Sequence, residues 1–305
     1  MKITGKHLLL TALAGVLLGV LGVLLLRSGP ASETPPTVLS APAPTGEPAS
    51  APATAPPETP APSTSPAPPV DEALRAFLGE EQGRWSLAYL PLPEGELVWV
   101  ASDREPMVSA SLIKLFIMGA VYERLESGEL EREAVWPLLF AMITYSDNAA
   151  ANELTRMLGG GDAEAGMAAV NDWCARQGYA QTRMNRLMLA DNGLQNYTSA
   201  ADCARFLAAV YRGDCVSPEA SREMLSLLLA QTVNDRLPAR LPEGTPVAHK
   251  TGDLSGLCCA DVGIVFSPGG DFILCAVCND PPNDSRARDA IVRLSGQVYG
   301  IVNPS

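Results

Sequence analysis

Three short runs of this sequence hold residue types that nucleophilic catalysis needs. The first is Ser111-Leu112-Ile113-Lys114. On a helix, a separation of three residues puts two side chains on one face a single turn apart, so the Lys114 amine comes within reach of the Ser111 hydroxyl. A serine hydroxyl is a weak nucleophile until a neighbouring base takes its proton. Lys114 fills that role once its pKa falls several units from about 10.4. Burial and a second cation nearby both push that way, as does the positive end of a helix. Taken alone, the same spacing also fits an ordinary surface helix.

The second run is Ser146-Asp147-Asn148. Ser146 offers a hydroxyl that can relay a proton, and Asn148 an amide that can orient a substrate amide. Ser and Asp also favour helix N-caps, and the two roles are compatible. The third run is His249-Lys250-Thr251-Gly252, on a predicted strand. Alternation sends Lys250 to one face and His249 and Thr251 to the other. Thr251 then reaches a shared site only through a local twist. Gly252 permits close approach of backbone to a ligand. The chain's lysines are Lys2, Lys6, Lys114 and Lys250, so the two outside the N-terminal leader both lie in these runs. Arginine, used elsewhere, cannot serve as a base because it does not lose its proton in proteins.

The elements that must position these residues are readable from periodicity. Asp71 to Gln82 reads as a helix, with Leu74, Phe77 and Leu78 at helical spacing. Trp85 to Leu90 and Glu96 to Ala101 read as strands joined by a Pro- and Gly-containing turn. Helical patterns run from Ser111 to about Leu229, broken at Gly159-Gly160-Gly161 and Asp191-Asn192-Gly193. Strands return at Pro246 to Thr251, Cys259 to Phe266 and Phe272 to Val277, and Asp284 to Val302 closes as a helix. This order predicts an α/β fold: an antiparallel sheet from both chain ends flanked by helices, with a mostly helical second lobe from the middle. A cleft between the two parts is the natural place for a site.

Before this head, residues 1–27 read as an N-terminal signal anchor. Lys2, Lys6 and His7 precede an apolar run from Leu8 to Leu26, closed by Arg27. About 18 or more such residues can span a bilayer as a helix, and the lysines keep the short N-terminus inside. The exit, Arg27-Ser28-Gly29-Pro30, is a poor cleavage site, though a cleaved signal with secretion is the alternative. Residues 28–69 form a Pro/Ala-rich linker that cannot bury enough apolar surface to order itself. Residues 70–305 make the catalytic domain. The formal net charge of −12 argues against a nucleic-acid partner.

Seven cysteines lie in the head: Cys174, Cys203, Cys215, Cys258, Cys259, Cys275 and Cys278. An odd number leaves at least one thiol unpaired in an exported protein. Neighbours on a strand face opposite ways, so Cys258 and Cys259 do not easily share a metal. They read as small buried hydrophobes, with disulfides the second reading and zinc the third. No cofactor and no metal is expected.

Together, the three runs resemble the motifs of the class A β-lactamases and the penicillin-binding proteins, in order and approximate spacing, from roughly Phe77 to Val302. The resemblance implies that Ser111 forms an acyl-enzyme, Lys114 accepts its proton and Ser146 protonates the leaving nitrogen. It implies that Asn148 holds the substrate amide, and that Lys250, Thr251 and Gly252 bind substrate, the first two through its carboxylate. The backbone N–H groups of Ser111 and Asp253 would form the oxyanion hole. One departure stands out. The class A hydrolases carry a Glu after an Arg that activates the deacylating water, and the matching stretch, Arg183-Met184-Asn185-Arg186-Leu187-Met188, places Met188 there. The loop after it, through Asn196-Tyr197-Thr198-Ser199, is also shorter than theirs. A missing general base typically costs about 10²–10⁴ in rate, so acylation survives while fast hydrolysis does not, unless Asp191 or Asp253 substitutes.

The expected activity is an extracytoplasmic serine hydrolase, active as a monomer on a β-lactam or a cell-wall peptide. The alternatives are a penicillin-binding peptidase and a sensor or scaffold that acylates without turnover. A Ser-His-Asp hydrolase is disfavoured, because the one head-domain histidine, His249, is expected to face away from Lys250 and no G-x-S-x-G elbow is present.

Overall fold

A computed structural model describes residues 69–304, and these belong to a single unit. The signal anchor at 1–27 and nearly all of the 28–69 linker lie outside the described residues. Among the described residues no helix is long and apolar enough to cross a membrane.

The chain ends build the sheet, as expected. Helix α1 (Val70–Glu80) leads into β1 (Arg84–Pro91) and β2 (Val98–Ala101). The late strands are β5 (Val247–Leu254), β6 (Cys258–Val265) and β7 (Phe272–Asn279), and helix α8 (Asp284–Val302) ends the domain. They form one antiparallel sheet in the order β2-β1-β7-β6-β5. β5 is therefore an edge strand. It continues three residues beyond the predicted end at Thr251, through Gly252 and Asp253 to Leu254.

Both faces of the sheet are covered, which explains why β6 and β7 are buried along their whole length. On one face α1 and α8 pack Leu74, Phe77, Ile291 and Leu294 against Leu87, Leu274 and Ala276. The other face carries Leu90, Val262, Ile273 and Val277 toward the helical lobe. Cys258 falls in that second core and Cys259 in the first, as alternation requires. All seven cysteines are buried. Burial pushes their thiols up, to about 12 for Cys203.

The lobe consists of α2 (Ile113–Glu126), α3 (Arg132–Thr144), α4 (Asn148–Leu158), α5 (Ala163–Arg176), α6 (Ala200–Arg212) and α7 (Pro218–Leu229). Helix α2 is buried all round from Ile113 to Tyr122, the signature of a central helix. Side-chain N-caps start α4, α5 and α6: Asp147 accepts from Ala150 N, Asp162 from Ala165 N and Ser199 from Asp202 N. A two-residue ribbon pairs β3 (Met107–Val108) with β4 (Tyr197–Thr198). Both strands are too short to leave a periodic signal in the sequence. Asn279, at the end of β7, ties the ribbon to the sheet by accepting from Val108 N at 2.6 Å and donating to its carbonyl at 3.2 Å.

Candidate active site

Ser111 sits in a 3-10 turn, Ala110–Leu112, and the α-helix starts only at Ile113. The helix was expected to begin at Ser111; the tight turn places that residue just outside it. Ala110 is held at φ 44°, a left-handed conformation that side chains rarely adopt and that concentrates at functional sites. Ser146, at φ 59°, is held the same way between α3 and α4.

The three runs meet at the hydroxyl of Ser146. Lys114 Nζ donates to Ser146 Oγ at 3.2 Å, to its carbonyl at 2.6 Å and to Asn148 Oδ1 at 2.8 Å. Lys250 Nζ donates to the same Ser146 Oγ at 2.9 Å and to the Thr251 carbonyl at 3.0 Å. Both lysines are fully buried. Among the described residues, Lys114 makes no hydrogen bond to Ser111.

Burial lowers the Lys114 amine to about 8 against the opposing pull of Asp147. Burial and then the charge of Lys114 lower Lys250 to about 7, with Asp261 and Asp253 opposing. Two ammonium groups on one hydroxyl repel, and a low-dielectric setting makes each harder to charge. The pair therefore gives up a proton more readily than a lone lysine would, and that titration belongs to both amines together.

The edge strand supplies the remaining groups. Phe266 N donates to Pro246 O at 3.1 Å. With the register of β5 on β6 and antiparallel alternation, this makes even-numbered residues of β5 bond inward. Thr251 and Asp253 turn their N–H and C=O groups to the open edge. The side chains alternate the other way. Lys250 and Gly252 pair with Val262 and Ala260, on the lobe face, whereas His249, Thr251 and Asp253 pair with Gly263, Asp261 and Cys259 on the opposite face. The close approach that Gly252 permits is to the turn that bears Ser111. A Cβ there would meet Leu112 Cγ and Ser109 O at 3.1 Å each.

His249 lies away from Ser146, as alternation predicts. Its Nδ1 faces Asp261 at 2.9 Å and its Nε2 faces Asn234 Oδ1 at 3.0 Å. Asp261 also accepts from Leu237 N at 3.0 Å, so this buried group fastens the 231–246 segment to the sheet. Asp253 turns its carboxylate to Arg236 Nη2 at 2.5 Å, with Arg288 at 3.8 Å. Its carboxylate is thus engaged in an ion pair on the far face of β5.

Met188 is 8% exposed. Asn152 grips its main chain from both sides, accepting from Met188 N at 2.6 Å and donating to its carbonyl at 3.1 Å. Asn196 closes the base of the same loop by accepting from Asn185 N and Arg186 N and donating to Arg186 O. The buried Arg186 donates to Gln195 Oε1 at 3.0 Å across it. Sequence reasoning missed the roles of Asn152, Asn196, Arg236 and Asn234. Only Asn152 left a trace, one helical turn beyond Asn148 on the same face. A cavity of about 840 Å³ on the lobe, lined by Arg124, Leu158, Asp172 and Arg176, contains none of the motif residues.

The beta-lactamase enzyme family matches this chain over residues 69–138 and 131–302. The extended-spectrum beta-lactamase PER-1 of Pseudomonas aeruginosa is 33% identical over 177 residues, 53% of this chain and 55% of that protein. A beta-lactamase of Streptomyces albus G is 33% identical over 153 residues, 48% of this chain and 47% of that protein. The chain thus matches about half the length of these curated relatives. Among solved structures, PBP-A superposes with a TM-score of 0.66 at 25% identity, over 77% of this chain and 97% of that one. The TLA-1 extended-spectrum beta-lactamase shares the fold, with a TM-score of 0.67 at 18% identity, over 76% and 98%.

Proposed function

The chain belongs to the beta-lactamase enzyme family, and from that premise we propose a serine hydrolase that forms an acyl-enzyme with β-lactams or peptide-like amides and releases it slowly. The observation that carries this reading is the convergence of Lys114 and Lys250 on the Ser146 hydroxyl. A variant of the similar PBP-A, 25% identical to this chain with a TM-score of 0.67, has been solved as an acyl-enzyme complex with penicillin G.

The mechanism follows from the charges. A substrate carboxylate bound beside Lys250 and the open-edge N–H of Thr251 favours the protonated form of Lys250. The shared Ser146 hydroxyl lets the proton come from Lys114, which becomes the neutral base. Ser111 rotates toward it, gives up its proton and bonds to the carbonyl carbon. The N–H groups of Ser111 and Asp253 hold the oxyanion, and removing one such donor typically costs about 10²–10³ in rate. The carbon–nitrogen bond then breaks. Ser146 passes its proton to the leaving nitrogen and recovers one from Lys114. Asn148 holds the substrate amide, and Gly252 keeps the edge strand close to the nucleophile.

Water must then be activated, and Met188 offers no proton acceptor. Asp253 is occupied by Arg236 on the opposite face of β5. Acyl transfer is therefore fast relative to release. A peptidase acting on cell-wall peptides, or a penicillin-binding sensor without turnover, is the second reading, favoured by the same methionine. The catalytic domain acts as a monomer outside the cytoplasm, held by an anchor at residues 1–27.

Intact mass spectrometry of the detergent-solubilised full chain with benzylpenicillin, followed over time, tests this. One adduct per chain is expected, absent in Ser111→Ala and nearly absent in Lys114→Arg. Labelling retained by Ser111→Ala would put the nucleophile elsewhere. With nitrocefin, a single burst supports slow release, whereas many rapid turnovers would overturn it.

A further inference from the structure

Helix α3 ends in an aromatic strip that burial does not explain. Trp136 and Phe140, one turn apart, are each 37% exposed, and Tyr145, at the C-cap, is 60% exposed. Tyr145 packs edge-on to Phe140, with ring centroids 5.6 Å apart. The Arg132 guanidinium lies over Trp136 at 5.3 Å. Exposed apolar surface that is contiguous, rather than scattered, marks an interaction site. This strip begins at the residue before Ser146.

We propose that Tyr145, buttressed by Phe140, forms a subsite for an uncharged aromatic substituent on the leaving half of the substrate. The inference rests on the catalytic reading above. Ser146 protonates the leaving nitrogen, so atoms attached to that nitrogen lie on the Ser146 side of the site. Tyr145 is the residue next to Ser146 in the chain, at the C-cap of α3, and its ring is exposed. The flank is acidic, with Asp147 exposed two residues on, and it disfavours an anionic substituent. A planar ring can stack on Tyr145 with the offset or edge-on geometry that aromatic pairs prefer.

Nitrocefin and cephalothin provide the test. They share the acylamino side chain and differ on the leaving half, a dinitrostyryl group against an acetoxymethyl group. Second-order acylation rates are measured for the wild-type chain, Tyr145→Ala and Tyr145→Phe. Tyr145→Ala should slow nitrocefin by about three- to tenfold and leave cephalothin within about twofold. Tyr145→Phe, which keeps the ring, should restore nitrocefin. An equal loss on both substrates, or none on either, overturns the subsite. Concentration-dependent self-association that Tyr145→Ala abolishes, with an unchanged nitrocefin rate, would assign the strip to a second copy of the chain instead. A wild-type chain that neither forms an adduct with nor hydrolyses either cephalosporin defeats the catalytic reading, and the subsite with it.

Discussion

At the level of single residues, the two buried lysines make the sharpest demand. On the proposed mechanism acylation needs Lys114 neutral and Lys250 charged, so the site must carry one proton between them. Burial and mutual repulsion lower the pair to about 8 and about 7, and their titration belongs to both together. Acylation by benzylpenicillin should therefore follow a bell in pH, rising as the first proton leaves and falling as the second goes, with its maximum between about 7 and 8. Stopped-flow or quenched mass measurements from pH 5.5 to 9.5 would show it; a flat profile would remove lysine as the base. Met188 makes the complementary case. Because Asn152 grips its main chain on both sides, a substitution there changes the side chain without freeing the loop. Met188→Glu should speed loss of the penicilloyl adduct by about 10²–10⁴, read from the return of unmodified mass. An adduct as long-lived as the wild type would show that the position does not reach the acyl carbon. The lysines bearing these arguments were readable in the sequence because amine, hydroxyl and spacing announce themselves, whereas Met188 stood out only through the family resemblance. Asn152 and Arg236 were not, since an amide or guanidinium that holds backbone or carboxylate has no spacing rule of its own.

Elements translate those residues into distances, and here glycine decides two contacts. The edge strand β5 reaches the Ser111 turn only because Gly252 lacks a Cβ, which would sit 3.1 Å from Leu112 Cγ and Ser109 O. Gly252→Ala should push that turn back by a few tenths of an ångström and reduce acylation more than it reduces the unfolding midpoint. Equal losses would indicate a general packing defect. Gly263 on β6 is the counterpart within the sheet. Its Cβ would lie 2.6 Å from the Cβ of His249 and 3.1 Å from Ala248 O. Neither neighbour is the end of a flexible side chain. Gly263→Ala should therefore destabilise the domain by about 1–3 kcal/mol, measured by urea unfolding, and an unchanged midpoint would contradict the packing described. The strands and closing helix followed from alternation and 3.6-residue periodicity. The β3–β4 ribbon did not, because its strands are two residues long and depend on Asn279, some 80 residues from β4. The extension of β5 past Thr251 escaped notice for a related reason. Gly252 and Asp253 are poor strand formers, held extended by pairing with Ala260 and Cys259.

For the whole molecule, holding two lysines in the interior is a burden on folding that has a definite pH signature. The folded chain binds protons at these amines less tightly than the unfolded chain, whose lysines titrate near 10.4. Below about pH 7 both states are protonated and the penalty is present in full. Between about 7 and 10.4 the unfolded state holds more protons, so this pair makes stability rise with pH. The buried thiols act in the opposite sense. Burial raises their pKa values, to about 12 for Cys174, Cys203 and Cys215, and the seven unfolded thiols are half-ionised at about 8.5, so together they favour unfolding from about pH 8 upward. The unfolding midpoint should thus climb from pH 6.5 toward about 8 and then decline. Lys250→Met removes one buried charge at similar volume. It should raise the midpoint at pH 6.5 and flatten the climb, leaving the decline above about pH 8 in place because the thiols are untouched. The difference between the two chains isolates the lysine contribution, and a variant that climbs as steeply as the wild type would show that Lys250 keeps its proton in the folded protein. In that event Lys250 could not take a proton relayed from Lys114 when substrate binds, and the pH maximum of acylation would have to arise from Lys114 alone.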